Sequence, residues 1–296
     1  MKKLNQASHI LYLVALAFFI KAYLDAKPIL NLIGAMLLVM GIVRQRLLKK
    51  AMSIEEEVNG EDSLIKRLKS DMPRYCEMLF LYQQGNCDVL YEEGDGILIY
   101  DPSTKQYMAT ADSLVGAEDI IRKVADDYET LVVVDTVFEQ LEGKLFRYQR
   151  KQDYYNYWYG KKEKFILPET TCTFRNLTQD DIAYVKQCHR VEALCKDEYI
   201  YGRMEEGMLG IFVNGTLAGF IGRHDNGSIG MLEVLEEYRE KSIGMLLEMK
   251  YINDLLDVDD QEMIFTQINP DNEIAMHLQE KLGFIKAKQK CTLYFR

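Results

Sequence analysis

A strand, a charged turn and a helix follow one another without a break between residues 231 and 256. Residues 231–235 form a short apolar run, and the turn behind it reads Glu-Glu-Tyr-Arg-Glu-Lys-Ser from 236 to 242. Helical spacing follows, with apolar residues at 243, 246, 247, 251, 255 and 256. Such a turn brings several backbone N–H groups and the positive end of a helix dipole to one point. The pattern predicts a site for a phosphate or pyrophosphate group.

The composition is that of a folded protein long enough for two domains. The chain has 296 residues, of which 48% are hydrophobic and 28% charged, and this balance excludes general disorder. The net charge of −10 argues against an extended nucleic-acid surface, so we expect no nucleic-acid partner.

The six cysteines show no paired spacing and no C-x-x-C motif, so free thiols are favoured over a disulfide framework. Cys188, His189 and Cys195 can be imagined as metal ligands. Because no fourth ligand lies at a plausible spacing, helix-face positions are favoured and no metal is predicted.

Two apolar runs near the N-terminus, 10–20 and 29–43, predict a transmembrane helical hairpin over 1–50. Lysines and arginines flank the pair at 2, 3, 21 and from 44 to 50, which favours a multi-pass cell-membrane protein with both ends and the following domains in the cytoplasm. A cleaved signal peptide followed by an anchor, or two buried helices of a soluble core, are the alternatives.

Behind the hairpin, residues 51–69 are charged and predict a linker helix. Residues 70–165 predict a smaller α+β module. Its strands are expected at 87–91, 96–100, 106–110 and 130–134, and its helices at 117–127 and 137–145. Since it contains no phosphate loop, catalytic dyad or metal spacing, we expect a structural or substrate-selecting role.

Seven aromatic residues lie between 146 and 159, among basic and amide residues. Aromatic side chains beside cations can stack nucleobases, but the acidic balance of the chain disfavours this interpretation. A partly buried interdomain strand or the wall of a cleft is favoured.

The segment 170–296 alternates strand and helix signals. Strands are expected at 172–177, 228–235, 263–268 and 291–295, and helices from Thr178 through Val185, at 197–206 and at 271–282. Asn214-Gly215 between apolar runs predicts a hairpin with a type I′ turn. Gly283-Phe284 predicts an αL helix cap.

Asn272-Glu-Ile-Ala-Met-His-Leu-Gln-Glu-Lys-Leu-Gly-Phe284 follows the turn by some 28 residues. In this order the two signals resemble the GNAT superfamily of acyl-CoA-dependent N-acyltransferases. Arg239 and Gly244 match that family's Arg/Gln-x-x-Gly-x-Gly/Ala loop, while Ser242 occupies the place of its first glycine. The Asp-Asn-Gly turn between 207–223 and 228–235 is similar to the glycine N-acyltransferase-like branch.

The resemblance implies an α+β fold, with a C-terminal GNAT-like mixed sheet flanked by helices at 170–296. The module at 70–165 would then be a degenerate GNAT-like half. The donor substrate implied is acetyl-CoA. Its expected contacts are the backbone of the strand end, the loop and the start of the next helix, namely Val234, Leu235, Arg239, Glu240, Lys241, Ser242, Ile243, Gly244 and Asn272.

Two residues are candidates for catalysis. Glu233, at the strand end, is a candidate general base acting through water, or else a carboxylate in a surface salt bridge. His224 titrates in the useful range, or else is a solvated histidine at a hairpin tip. Gln279 lies seven residues after Asn272, where many GNAT domains carry a tyrosine that protonates the thiolate.

The sequence therefore predicts a membrane-anchored N-acetyltransferase, which transfers an acyl group from acetyl-CoA to an amine. The acceptor would be a small molecule, an amino acid or a lipid-linked amine. A catalytically weak GNAT fold that binds acyl-CoA as a sensor or scaffold is the alternative. A plain α+β interaction module without CoA is a third possibility.

Overall fold

The computed structural model describes residues 63–85, 87–102, 104–124, 128–188, 197–258 and 263–296. Its helices are α1 (Ser63–Lys69), α2 (Met72–Gln84), α3 (Leu114–Ile121), α4 (Ile182–Cys188), α5 (Asp197–Glu205), α6 (Ile243–Val258) and α7 (Glu273–Leu282). The first six strands are β1 (Asp88–Glu93), β2 (Gly96–Asp101), β3 (Gln106–Thr110), β4 (Thr130–Val133), β5 (Arg150–Trp158) and β6 (Thr173–Asn176). The other strands are β7 (Leu209–Val213), β8 (Thr216–Arg223), β9 (Ile229–Val234), β10 (Phe265–Ile268), β11 (Ile285–Lys286) and β12 (Cys291–Phe295).

The described strands form one mixed sheet, in the order β1-β2-β3-β4-β12-β5-β10-β9-β8-β7-β6, with β11 also paired to β5. The sheet carries helices on its faces, as expected for the α+β class. Strands from the predicted module at 70–165 and from the predicted domain at 170–296 therefore share hydrogen bonds across a single sheet.

The two halves of the sheet exchange strands. β5 comes from the first half of the chain, yet it pairs antiparallel with β10 and β11 of the second half. In return, β12 lies between β4 and β5 and pairs antiparallel with both. The aromatic segment 146–159 is thus confirmed as a strand that joins the two halves. Its side chains alternate, so that Tyr155 and Tyr157 contact the core beneath α6 and α7, while Tyr154 and Asn156 point to the other face.

Each face of the second half has its own core. Leu247 and Ile252 of α6 and Leu282 of α7 pack on apolar residues of β7 to β10 on one face. Val185 of α4 and Ile200 of α5 pack against Phe220 on the opposite face. α6 and α7 therefore cover one side of the strands that position the candidate site, and α4 and α5 cover the other.

Several local signals are confirmed. Asn214 and Gly215 have φ of 51° and 81°, as a type I′ turn requires. Thr178 and Asp181 form a reciprocal capping box ahead of α4. Gly283 ends α7 with φ of 85°, a left-handed conformation in which glycine has no Cβ penalty.

The predicted hairpin at 1–50, with its apolar runs 10–20 and 29–43, lies outside the described residues, as does the greater part of the predicted linker helix at 51–69. Within the described ranges, none of the helices has the length and apolar character needed to span a membrane.

A buried carboxyl group joins the halves on the face of the sheet opposite α6 and α7. Glu77 of α2 is 2% exposed. It accepts hydrogen bonds from Tyr154 Oη at 3.0 Å, Asn226 Nδ2 at 2.8 Å and Gln267 Nε2 at 2.6 Å. Burial raises the pKa of Glu77, and the three hydrogen bonds oppose that rise. One side chain of α2 thus satisfies groups on β5, β10 and the turn between β8 and β9.

Replacing this carboxyl group is expected to destabilise the chain strongly. Glu77→Ala removes the acceptor of the buried Tyr154 hydroxyl and one acceptor each of the partly buried Asn226 and Gln267 amides, and it leaves a cavity, which together cost about 2–4 kcal/mol of unfolding free energy. The exposed Glu205→Ala on α5 serves as the control, with a change within about 0.5 kcal/mol. Urea unfolding of the two variants measures both effects. Equal midpoints for the two variants contradict the proposed importance of Glu77.

Candidate functional site

The site is built where two parallel strands separate. β9 and β10 share one register pair, Ile229 with Thr266, and the Thr266 hydroxyl donates to the Ile229 carbonyl at 2.7 Å. Beyond that pair the two strands are not hydrogen-bonded to each other. The carboxyl end of β9 is therefore free of β10, and a cleft opens between the strands toward their carboxyl ends.

A β-bulge marks the start of this separation. Gly222 pairs with Gly230, and Phe220 with Glu233, so β9 uses one residue more than β8 over the same stretch. Met231, a buried residue, adopts φ of 54°, a left-handed conformation that is uncommon without glycine. The bulge turns the end of β9 out of the path that a regular β-strand would follow.

The turn predicted to bind phosphate has two left-handed residues. Glu240 and Ser242 have φ of 61° and 57°. Each such conformation costs a residue with a Cβ about 1 kcal/mol. Glycine would adopt the conformation of Ser242 without this penalty, and this chain adopts it with serine. α6 begins at the next residue, Ile243.

The first turn of α6 has donors available. Leu246 N–H donates to the Ser242 carbonyl at 3.0 Å, which closes the first helical turn. No acceptor among the described residues takes a hydrogen bond from the backbone N–H of Ile243, Gly244 or Met245. Unpaired N–H groups at a helix N-terminus, together with the helix dipole, form an anion site.

The charged side chains of the turn contact its own backbone. Arg239 Nε donates to the Val234 carbonyl at 3.0 Å, and Lys241 Nζ donates to the Glu237 carbonyl at 2.9 Å. Both cations are exposed and stay beside the turn. The carbonyl of Val234, predicted to face the pantetheine arm, is therefore already an acceptor for Arg239. The three glutamates at 236, 237 and 240 are exposed to solvent.

Asn272 lies at the start of α7, across the cleft from the turn. Its Oδ1 accepts from Ala275 N–H at 3.1 Å, so it is the N-cap of that helix. The amide nitrogen of its exposed side chain can still meet a ligand.

Glu233 lies opposite Phe220 and shares its face of the sheet, which is the side covered by α4 and α5. The side chain is partly buried. Its backbone belongs to the freed end of β9. Glu233 therefore lines the cleft from the face opposite α6, a position from which a carboxylate can accept a proton from an incoming nucleophile.

His224 lies in the turn between β8 and β9, near the amino end of β9. Its Nδ1 lies 2.8 Å from the Tyr199 hydroxyl, and its ring covers Gly230, where an added Cβ would be 2.2 Å from Nε2. Burial, with a smaller effect from Asp225, raises the pKa of Tyr199 to about 12, so the phenol stays protonated at neutral pH. Gly230 precedes Glu233 by three residues, or about 10 Å of strand. The structure does not bring the two catalytic candidates together.

The sequence reasoning missed one titratable residue, Glu248 of α6, which is 1% exposed. Gln279 Nε2 of α7 donates to both of its carboxyl oxygens, at 2.9 and 3.1 Å. Burial raises the pKa of Glu248 to about 7, and the hydrogen bond from Gln279 lowers it in part. The signal was present in the sequence, because Glu248 interrupts the apolar stripe formed by residues 247, 251 and 252.

A cavity of about 220 Å³ lies elsewhere, in the first half of the chain. Its lining includes Tyr128, Lys144, Arg147 and Arg296, and it contains none of the predicted site residues. The open cleft, not this cavity, carries the arrangement described above.

The raised pKa of Glu248 predicts a pH-dependent stability. Because the folded state holds the proton up to about pH 7 and the unfolded state only to about 4.5, unfolding free energy falls as pH rises through that interval. The loss is about 3 kcal/mol, at roughly 1.4 kcal/mol per pH unit. Glu248→Gln removes this contribution, so the variant should gain stability relative to wild type between pH 5 and pH 8. Urea midpoints at both pH values measure the difference. A difference that does not change with pH contradicts the assignment.

The comparisons with known proteins agree with this geometry. Residues 208–293, which include β9, the turn, α6 and α7, match the family model of FR47-like proteins. A comparison with curated protein sequences gives no match.

Among solved structures, a Drosophila protein determined by X-ray crystallography is similar over 80% of this chain and 97% of its own, with 14% identity and a TM-score of 0.58. A GCN5-related N-acetyltransferase from Kribbella flavida gives 10% identity, coverage of 74% and 95%, and a TM-score of 0.48. A putative GNAT-family acetyltransferase from Novosphingobium aromaticivorans gives 17% identity, coverage of 75% and 95%, and a TM-score of 0.43. Residues 208–293, which carry the cleft, are thus similar to FR47-like proteins, and the fold over 80% of the chain is similar to that of the Drosophila protein.

Proposed function

We propose that this protein is an acyl-CoA-dependent N-acyltransferase that transfers an acetyl group from acetyl-CoA to an amine. The observation that carries the proposal is the turn 239–242, which ends in a left-handed Ser242 and leads into a helix with unpaired N–H groups. This turn lies at the mouth of the cleft between β9 and β10. A phosphate-bearing substrate with a long arm suits such a site.

Binding of the donor depends on the loop and the freed strand. The pyrophosphate would accept hydrogen bonds from the backbone N–H groups of Lys241 to Gly244, at the positive end of the α6 dipole. Arg239 adds positive charge there. The pantetheine arm would enter the cleft along the free end of β9 and contact Val234 and Leu235, where it would displace Arg239 from the Val234 carbonyl, while Asn272 meets it from α7.

Acyl transfer then needs a deprotonated amine and a polarised thioester. The amine nitrogen attacks the carbonyl carbon, the C–S bond breaks, and coenzyme A leaves as the thiolate. Glu233 can take the proton released by the amine, directly or through water. Backbone N–H groups of β9 can stabilise the oxyanion that forms on the thioester oxygen. His224, in the turn before β9, lies against Gly230, about 10 Å of strand from Glu233, so it would not share the proton with Glu233.

The acceptor is proposed as a primary amine on a small molecule, an amino acid or a lipid. The order of segments around Asp225-Asn226-Gly227 supports placement in the glycine N-acyltransferase-like branch, for which an amino acid is the simplest acceptor.

Binding of CoA by the purified full-length chain tests the loop assignment. CoA should raise the thermal midpoint of wild type and of Ser242→Gly, since glycine adopts the left-handed conformation without strain. Arg239→Ala with Ser242→Asp should abolish the shift, because the aspartate repels phosphate. Lys288→Ala, an exposed charge loss, is the control and should behave as wild type. A double variant that binds CoA as well as wild type shows that the loop assignment is wrong.

A sensor or scaffold that binds acyl-CoA without turnover is the second candidate. It is favoured by the separation of His224 from Glu233 and by Gln279 at the position of the family's tyrosine. Thiol release from acetyl-CoA, measured with glycine, ethanolamine and spermidine in turn, separates the two functions. Release that depends on an amine supports the enzyme, and stabilisation by CoA without release supports the sensor.

We further propose that the apolar runs 10–20 and 29–43 anchor the protein in the cell membrane, with the acyltransferase in the cytoplasm. Their length and basic flanks support this. Such an anchor would bring the site close to a membrane-borne amine. In a flotation gradient the full-length chain should rise with the lipid after a high-salt wash, whereas a chain with Val14, Leu16, Leu37 and Val39 replaced by aspartate should not. Recovery of the wild type at the bottom of the gradient contradicts the anchor.

A further inference from the structure

The buried pair of Glu248 and Gln279 joins the two helices that follow the diverging strands. β9 and β10 are parallel, so α6, which connects them, runs back from the carboxyl end of β9 toward the closed end of the cleft. α7 follows β10, and the hydrogen bond from Gln279 to Glu248 joins it to α6. The two side chains therefore lie behind the cleft, on the α6 and α7 face of the sheet.

The depth of the pair along the cleft follows from helix geometry. Glu248 is six residues beyond Ser242, which is about 9 Å along the axis of α6, and Gln279 is seven residues beyond Asn272, about 10 Å along α7. A donor that holds its phosphates at the turn would extend its thioester toward this depth. Glu248 and Gln279 therefore lie at the depth along the cleft where the thiolate of coenzyme A would be released.

The hydrogen bonding of the pair is incomplete when the carboxyl group is ionised. Gln279 Nε2 serves both carboxylate oxygens, but the buried Gln279 Oε1 has no partner among the described residues. A protonated Glu248 provides the missing donor, because its O–H can reach the amide oxygen once the amide turns. Burial favours the neutral acid, which can donate to the otherwise unpaired Gln279 Oε1, while the hydrogen bonds from Gln279 Nε2 favour the carboxylate and oppose burial in part.

Among the described residues around Glu248, no cation lies where it would hold the carboxyl group ionised. β7, β8 and β9 present apolar residues to α6, and from α7 the neighbour is the neutral Gln279. His277 and Glu280 of α7 are exposed, and Lys250 of α6 pairs with Asp254. β5 contributes Tyr157 to this core, a neutral phenol whose hydroxyl has no partner among the described residues.

From this geometry we propose that Glu248, held neutral beside Gln279, is the acid that protonates the departing thiolate of coenzyme A. The inference rests on the proposed acyl transfer. As the C–S bond breaks, the electron pair stays on sulfur and takes the proton of Glu248, which becomes a carboxylate. Glu248 is then reprotonated from solvent, and the proton lost by the amine leaves through Glu233. Gln279 is a positioning residue, which orients the acid and tunes its proton affinity.

The test is the pH dependence of thiol release by the full-length chain, with acetyl-CoA and the most active of the three amines named above. In wild type, kcat should fall above about pH 7, as Glu248 loses its proton. Glu248→Gln should lower kcat at pH 6.5 by about 100-fold and remove this alkaline limb. Glu205→Gln, on the surface of α5, is the matched control with an unchanged profile.

A second variant, Gln279→Leu, retains the carboxyl group of Glu248. Because the Gln279 hydrogen bond lowers the pKa of Glu248, Gln279→Leu should move the alkaline limb to higher pH, and this arm decides the question even if Glu248→Gln fails to fold. Tyr157→Phe should leave the limb in place. Loss of the limb in Tyr157→Phe, or a limb in Gln279→Leu at the wild-type pH, overturns the assignment.

The outcomes separate the two proposals. Absence of amine-dependent thiol release in wild type overturns the acyltransferase function and this inference together. Release by Glu248→Gln at the wild-type rate and with the wild-type pH profile overturns only the role of Glu248.

Discussion

The pairing of β5 with β10 on one edge and β12 on the other is the constraint on which the rest of the structure depends. Because β5 occupies the far edge of β10, the site strand β10 is held from the side away from the cleft. Its near edge touches β9 at a single register pair. The cleft can open only because β10 is secured elsewhere, by a strand from the other half of the chain.

Strain and burial are concentrated around that opening. Three residues with side chains, Met231, Glu240 and Ser242, adopt left-handed conformations within twelve positions, at the bulge and in the turn. Such conformations persist where the surrounding structure over-determines them, and they are frequent at ligand sites. On the face beneath α6 and α7, the acid of Glu248 is enclosed. On the other face, Glu77 ties α2 to the turn that carries His224. Each face of the sheet at the cleft thus has a buried carboxyl group. Glu77 accepts hydrogen bonds from three side chains, and Glu248 from one.

Local patterns in the sequence predicted the parts of the site that depend on local chemistry. The strand, turn and helix at 231–256, the Asn214-Gly215 turn and the cap at Asn272 follow from neighbouring residues, and the structure has them. The exchange of β5 and β12 between the halves could not be predicted from local patterns. The hydrogen bonds of these strands join residues more than a hundred positions apart, and such pairing produces no periodicity in the sequence. The contact of Arg239 with the Val234 carbonyl was also beyond the sequence, since it depends on how the turn folds back. Glu248 was within reach, as a charged residue inside an apolar stripe, but its partner on α7 was not.

The strand exchange also sets an order of events during synthesis. β4 and β5 are complete by residue 158, but the strand that lies between them is made of residues 291–295. In the nascent chain, the facing edges of β4 and β5 therefore stay unpaired until almost all of the described residues have been synthesised. Lys151 and Asp153 of β5 lie along one of those edges, and Asp153 later accepts hydrogen bonds from Lys290 and Thr292. Charges at exposed edges discourage pairing with other chains, so the side chains that later hold β12 in place would first protect the unfinished sheet from aggregation.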